Sequence, residues 1–166
     1  MQSSNFTRSI RTQALGLVGW LLLTFTAAAL GAIASVDAAV FYAELIKPSW
    51  APPASVFGPV WSILYLLMGV AVWLVWREPQ AIKQALGLFV VQLSINALWS
   101  WLYFVWHLGA WSFVGVLLLL LLIVASLFSF WKIRRMAVVL MIPYLLWVGF
   151  AAVLTWTTWQ SNPMFL

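Results

Sequence analysis

The tryptophans are the side chains of this sequence whose types and spacing could support chemistry. The chain has 13 of them in 166 residues, with no cysteine, one histidine and three acidic residues. This inventory argues against a hydrolase, a metal centre and a proton-coupled pump, which need nucleophile–base pairs, ligand clusters or intramembrane acids. The one histidine, His107, falls in a short predicted turn, where we expect it to be solvated. Any redox or light-driven chemistry would therefore come from a bound ligand beside indole rings.

Three tryptophans stand apart from the others by their position within predicted helices. Most tryptophans lie at the ends of apolar stretches, as in the aromatic belt of membrane proteins. Trp61 and Tyr65 instead share one helical face, and Trp147 and Ala151 share another with Tyr144. Pro143 precedes the second pair and favours a kink that could open a pocket there. We expect these residues to line a site.

A polar stripe runs along one further helix and includes the third such tryptophan. Gln92 and Asn96 are four residues apart, and Trp99, Ser100 and Tyr103 continue the same face. An amide in hydrocarbon is costly unless it is paired, so this face should point into a helix bundle. Interhelical hydrogen bonding and the lining of a ligand cavity both fit the pattern.

Composition and hydropathy set the fold class. With 66% apolar and 7% charged residues, the sequence excludes a water-soluble domain. We predict an all-α integral membrane protein, a five-transmembrane-helix bundle forming one domain over residues 1–166. Its predicted helices cover 13–34, 55–76, 82–106, 110–130 and 137–159. The first stretch is longer than the core of a secretory signal, so we expect it to remain as a helix.

Lysine and arginine are distributed unequally between the predicted loops. One side of the membrane would carry Arg8, Arg11, Arg77, Lys83, Lys132, Arg134 and Arg135, and the other only Lys47. The positive-inside rule then places the N-terminus in the cytoplasm and the C-terminus outside, consistent with a multi-pass protein of a bacterial inner membrane. Because the basic residues are scattered over short loops, we expect a lipid bilayer and no nucleic acid as partner.

The one long predicted loop, residues 35–54, has an unusual composition. It contains Lys47 to Pro53, which reads KPSWAPP. Three prolines restrict the backbone and make the segment stiff. A lid over a site and a rigid turn packed on the mouth of the bundle remain equally open.

Four segments of the sequence resemble one known family. These are 41–53 (FYAELIKPSWAPP), 57–69 (FGPVWSILYLLMG), 92–100 (QLSINALWS) and 143–147 (PYLLW). They look like the hallmarks of the tryptophan-rich sensory protein family, whose mammalian members are the translocator proteins, and the resemblance spans 14–162. It implies a five-helix bundle, a homodimer, and a pocket under the first loop that binds porphyrins such as protoporphyrin IX, with no cofactor required.

Carried over by position, the resemblance implies a set of ligand-binding residues: Tyr42, Trp50, Trp61, Tyr65, Asn96, Trp99, Ser100, Trp147 and Ala151. It also ties Trp61 and Trp147 to the porphyrin breakdown reported for some bacterial members. Residues 154–160 lack the tyrosine and arginine of the animal cholesterol motif, which puts sterol binding there in doubt.

The implied function is that of a porphyrin sensor, carrier or regulator of porphyrin levels. A light- and oxygen-dependent porphyrin-degrading enzyme, or a transporter of another hydrophobic solute, are the alternatives. We further expect Lys47 to meet a propionate. The stripe Ala27, Gly31 and Ser35 is the small-residue face that the sequence offers for close helix contact.

Overall fold

The computed structural model describes residues 9–79 and 82–166, so Arg8 lies outside the described residues. The chain is helical over these two ranges, and no strand occurs within them. Five helices are long and apolar enough to cross a membrane. The predicted all-α, five-span fold is therefore confirmed.

Six α-helices follow one another along the chain, and the ends of the five long ones agree with prediction to within a few residues. They are α1 (Ile10–Ala34), α2 (Ala38–Glu44), α3 (Phe57–Trp76), α4 (Lys83–Ser100), α5 (Gly109–Trp131) and α6 (Arg135–Ser161). A 3₁₀ turn, Ala54–Val56, precedes α3, and a π-helical turn, Trp101–Val105, extends α4.

The short helix α2 was not predicted, because residues 35–54 were expected to form a loop without regular structure. It forms where an alanine-rich run brings Tyr42 into a buried position. The helix ends at Glu44, and Leu45 is already extended with ψ 143°. Pro48 follows soon after and is incompatible with further helix. The stiff, proline-rich half of the segment begins only there.

The π-helical turn at the end of α4 is a second departure from the predicted uniform helix. Trp106 N donates to Trp101 O at 2.9 Å, a bond one residue longer than in an α-helix. Tyr103 of this turn stacks on Trp99 near the end of α4, with ring centroids 5.3 Å apart and an interplanar angle of 10°. Both rings therefore face the same side of the bundle.

The five long helices form a ring in the order α1, α3, α6, α5, α4 and back to α1. Glycine allows a close approach between α1 and α3. A Cβ on Gly69 of α3 would lie 2.7 Å from Leu21 Cδ2 and 3.0 Å from Thr24 Oγ1 of α1. Met68, Val72 and other fully buried side chains fill the centre of the ring.

Two contacts identify one end of the bundle, which we call the basic end. Trp73 Nε1 donates to Gln13 O at 2.9 Å, joining the end of α3 to the start of α1. Arg134 pairs with Glu78 at 3.6 Å, joining the loops that follow α5 and α3. These two loops and the helix starts that follow them carry five of the eight lysines and arginines, namely Arg77, Lys83, Lys132, Arg134 and Arg135. The opposite end, which we call the cap end, holds α2, Lys47 and the residues after α6.

The small-residue stripe of α1 packs inside the chain. Ala27 is 7% exposed and Gly31 is buried. A Cβ on Gly31 would lie 3.2 Å from Ser100 Oγ of α4. Gly31 therefore serves the close approach of α1 to α4 within the chain.

Candidate functional site

A cavity of about 590 Å³ lies in the cap-end half of the bundle. Helices α1, α3, α4 and α6 form its walls, and α2 covers it. Of the residues implied by the resemblance, those that line the cavity are Tyr42, Trp61, Tyr65, Asn96, Trp99, Ser100, Trp147 and Ala151. The structure thus brings together residues from four separate sequence segments.

Trp50 is the implied residue that the structure places outside the cavity lining. Its side chain is 47% exposed and contacts the ring of Phe150 edge-on, with centroids 5.7 Å apart. Phe150 in turn contacts Trp147 at 5.4 Å. Trp50 therefore lies beside the wall rather than in the cavity lining, and a role for it in ligand binding stays a prediction. Sequence proximity to Tyr42 cannot reveal this, because the chain turns between the two residues.

The cover of the cavity is held by hydrogen bonds from within the loop. Tyr42 Oη donates to Pro52 O at 3.1 Å, and burial raises the pKa of this phenol above its ordinary value. The Lys47 ammonium donates to the carbonyl oxygens of Tyr42, Ala43 and Leu45, the last at 2.9 Å. Since Lys47 caps α2 in this way, it is not directed at a propionate as expected. The contacts favour the rigid-turn alternative over a mobile lid.

Asn162 ties the cover to the end of α6, and sequence reasoning missed it. Its side chain is 3% exposed and bonds the backbone of Ile46 as both donor and acceptor. Asn162 Nδ2 also donates to Thr158 O at 2.7 Å, which closes the last turn of α6. The sole sequence signal was an amide directly after an apolar helix.

A chain of buried hydrogen bonds crosses the bundle beside the cavity. Tyr65 Oη donates to Asn96 Oδ1 at 2.5 Å, and Asn96 Nδ2 donates to Tyr144 Oη at 3.0 Å. Tyr144 Oη donates to Gln92 Oε1 at 3.0 Å. The polar stripe of α4 thus forms interhelical bonds and, through Asn96, lines the cavity as well. Tyr144, which the sequence placed on the same face as Trp147, is fully buried and lies behind the cavity wall rather than in its lining.

Aromatic rings form much of the cavity surface. Trp61 lies against Tyr65 and Tyr144, with centroids 5.7 and 6.2 Å apart. Phe57 contacts Trp147 edge-on at 5.9 Å. Such rings offer flat apolar faces to a ligand while their own packing restricts their movement. Phe57 also lines the cavity, although no sequence pattern had singled it out.

The indole N–H groups of the two lining tryptophans on α4 and α6 differ in their partners. Trp99 Nε1 donates to Ser112 O at 3.0 Å, which fixes this ring to α5. Trp147 Nε1 is buried and has no hydrogen-bond partner within the described residues. A buried donor without a partner is costly and rare in a folded protein. The indole ring of Trp147 lines the cavity, while its N–H has almost no accessible surface of its own.

The cavity also reaches the lipid-facing surface of the bundle. Phe25, Ala29 and Ala32 of α1 and Ser62 of α3 line it and are themselves exposed. These residues of α1 and α3 form the outer edge of the cavity.

Within residues 9–79 and 82–166, no three histidine, cysteine, aspartate or glutamate side chains lie close enough together to hold a metal ion. His107 is exposed, as expected for a turn residue, and stacks on Phe41 with ring centroids 4.4 Å apart. Its backbone has a φ of 50°, which a tight turn imposes. It lies outside the cavity lining.

Comparison with known proteins agrees with this architecture. The chain is 37% identical to the tryptophan-rich protein TspO of Chlorobaculum tepidum, over 74% of this chain and 80% of that protein. It is 36% identical to the translocator protein of Homo sapiens, over 74% and 75% of the two chains. It is 34% identical to the tryptophan-rich sensory protein of Cereibacter sphaeroides, over 86% and 91%. Residues 18–160 match the model of the TspO/MBR family, and the chain therefore belongs to that family, as a multi-pass integral membrane protein.

Proposed function

We propose that this protein binds a porphyrin, of the protoporphyrin IX type, in the cap-end cavity and acts as a sensor or carrier that regulates porphyrin levels. Its family membership supports a membrane sensor or regulator related to tetrapyrroles in general. The specific ligand is our inference from the chemistry of the cavity.

The observation that carries the proposal is the aromatic wall of the cavity, to which Trp61, Trp99 and Trp147 contribute. A cavity of about 590 Å³ lies within the range of small-molecule sites, which are mostly apolar with few polar groups. A flat aromatic macrocycle with two carboxylates matches walls formed by Trp61 and Trp147.

Titration with protoporphyrin IX in the dark tests binding. Saturable quenching of tryptophan fluorescence is expected, and replacing Trp147 with Phe should weaken binding by about two- to tenfold, since part of the aromatic contact with the macrocycle is lost. Trp111, which is 65% exposed and outside the cavity lining, provides the matched control through Trp111→Phe. The proposal would be rejected if the quenching does not saturate. It would also be rejected if Trp147→Phe and Trp111→Phe bind protoporphyrin IX with equal affinity.

Light- and oxygen-dependent degradation of the porphyrin is a second candidate function for the same site. Trp61 and Trp147 both line the cavity, so a bound, photoexcited porphyrin would lie beside two oxidisable indoles. Absorption bands of the complex should then decay under light and oxygen faster than in Trp61→Phe and Trp147→Phe. Stable absorption bands favour the sensor or carrier. So does decay that is as fast in each variant as in the wild-type protein at equal occupancy.

The proposal includes an orientation and an assembly. The basic end would face the cytoplasm of a bacterial cell and the cap end the outside, as the positive-inside rule suggests. Labelling of single cysteines placed at Ser9 and Ser161 tests this, because only the latter should react from outside. The homodimer implied by the family resemblance is tested by cross-linking in membranes.

A further inference from the structure

A second concave site lies at the basic end, on the outer surface between α5 and α6. It is a groove of about 400 Å³. All of its lining residues are apolar, namely Val124, Leu127, Phe128, Trp131, Val138 and Leu145. It shares no lining residue with the cap-end cavity.

The groove follows the helices and has the form of a channel for an extended chain. Val124 and Trp131 are two turns apart on α5, and Val138 and Leu145 are two turns apart on α6. Two turns correspond to about 10 Å along a helix axis. The groove is thus elongated across one leaflet, starting at the loop that joins the two helices.

Positive charge is concentrated at the mouth of this groove. The guanidinium of Arg135 lies 5.0 Å from the ring centroid of Trp131, which itself lines the groove. Arg135 also precedes Val138 by three residues, so it lies on the same helical face about one turn nearer the basic end. Lys132 is exposed in the same loop. Arg134 is paired with Glu78, which leaves Arg135 and Lys132 as the cations nearest the groove.

We propose that this groove binds one anionic phospholipid, whose acyl chain lies along the apolar lining and whose phosphate is held by Arg135 and Lys132. Clusters of basic residues beside membrane helices attract anionic lipids, at about fivefold in affinity for each cation. A second copy of this chain is a poorer occupant, because a two-fold contact through the same groove would bring the two copies of Arg135 and Lys132 together. An anionic headgroup neutralises that charge.

Native mass spectrometry of the full chain in detergent tests the proposal, with phosphatidylglycerol and phosphatidylcholine of identical acyl chains as probes. One phosphatidylglycerol should bind in clear preference to phosphatidylcholine. Arg135→Gln should lower its affinity about fivefold, and the double variant with Lys132→Gln further. The matched control is Arg77→Gln, because Arg77 lies 5.0 Å from the Trp73 ring at the same end of the bundle and Trp73 does not line the groove.

A second variant separates the groove from general surface charge. Val124 is 37% exposed and lies at the deep end of the groove, so Val124→Trp should block the acyl chain while leaving the cations in place. Leu121→Trp adds the same side chain at a position that is 69% exposed and outside the lining. We expect lipid affinity to fall in the first variant only.

Three results would overturn the proposal. The first is equal binding of the two lipids by the wild-type protein. The second is an equal loss of affinity for phosphatidylglycerol in the Arg77→Gln and Arg135→Gln proteins. The third is a dimer that is abolished by Val124→Trp without any lipid preference, which would assign the groove to an interface between copies.

Discussion

Asn162 and Ile46 are 116 residues apart in sequence, yet the side-chain amide of Asn162 bonds both backbone polar groups of Ile46. Ile46 N donates to Oδ1 at 2.8 Å, and Nδ2 donates to Ile46 O at 2.9 Å. The end of α6 thereby holds the segment that covers the cavity. The position of the cover depends on a residue that does not line the cavity.

Replacing Asn162 with Ala should loosen the cover. The change removes both bonds to Ile46 and leaves its partly buried backbone N–H and C=O without these partners, at a cost of about 1 kcal/mol. Hydrogen exchange should accelerate in residues 42–50 and remain unchanged in the middle of α5. Gln160→Ala, at a nearby exposed position, should exchange as the wild type does. Equal exchange in both variants would contradict the role assigned to Asn162.

Tyr144→Phe should destabilise the bundle from its centre. It leaves Asn96 Nδ2 and Gln92 Oε1 without the bonds that they share with Tyr144, and we expect a loss of about 1–3 kcal/mol in the free energy of unfolding. Unfolding by denaturant in detergent provides the measurement. Ser94→Ala on the exposed face of α4 should change stability by less than about 0.5 kcal/mol. A Tyr144→Phe protein as stable as Ser94→Ala would show that the bonds do not stabilise the fold.

Gly69→Ala should separate α1 from α3. The added Cβ would lie 2.7 Å from Leu21 Cδ2 and 3.0 Å from Thr24 Oγ1, and overpacking of this kind typically costs about 1–3 kcal/mol. A Cβ on Gly87 meets no atom within 4 Å, so Gly87→Ala should be neutral or stabilising by up to about 1 kcal/mol through helix propensity. The thermal midpoints of the two variants should therefore move in different directions. A higher midpoint for Gly69→Ala would show that the two helices are not in close contact.

The cover should weaken at high pH through Tyr42. Burial raises the pKa of this phenol in the folded protein above the ordinary 10.0, so the folded state holds the proton more tightly than the unfolded state. Its contribution to stability is complete below about pH 10 and decreases as pH rises from there through the folded-state pKa. Ionisation also removes the hydrogen that Tyr42 donates to Pro52 O. Between pH 9 and 11, proteolysis of the cover should accelerate more in the wild type than in Tyr42→Phe; parallel profiles would argue against this titration.

The parts of the fold that sequence predicted are those determined by local patterns. Five long apolar stretches predicted the membrane spans. The distribution of lysine and arginine predicted which loops lie at the same end of the bundle. Four-residue spacing placed Trp61, Tyr65 and Asn96 on inward faces. The features that were missed depend on contacts between distant segments. Asn162 and Ile46 meet through the return of the chain, and Tyr144 takes its role from two residues of α4.

Errors in the cover have the same origin. The turn between Tyr42 and Trp50 directs one ring into the cavity and the other beside its wall, although both belong to one sequence motif. We expected Lys47 to pair with an acidic ligand. In the structure it donates to carbonyl oxygens at the end of α2. The absence of α2 from the prediction concealed those carbonyls.

The proposal that the cap-end cavity holds the porphyrin is tested most directly by filling that cavity. Ala151 lines it, whereas Val153 lies two residues away on the same helix and is 55% exposed on the outer surface. Protoporphyrin IX binding should be followed by fluorescence for Ala151→Trp and Val153→Trp, after circular dichroism has shown both proteins to be folded. We predict that Ala151→Trp loses saturable binding and that Val153→Trp binds as the wild type does. Equal affinity of the two variants would contradict the assignment of the ligand to this cavity.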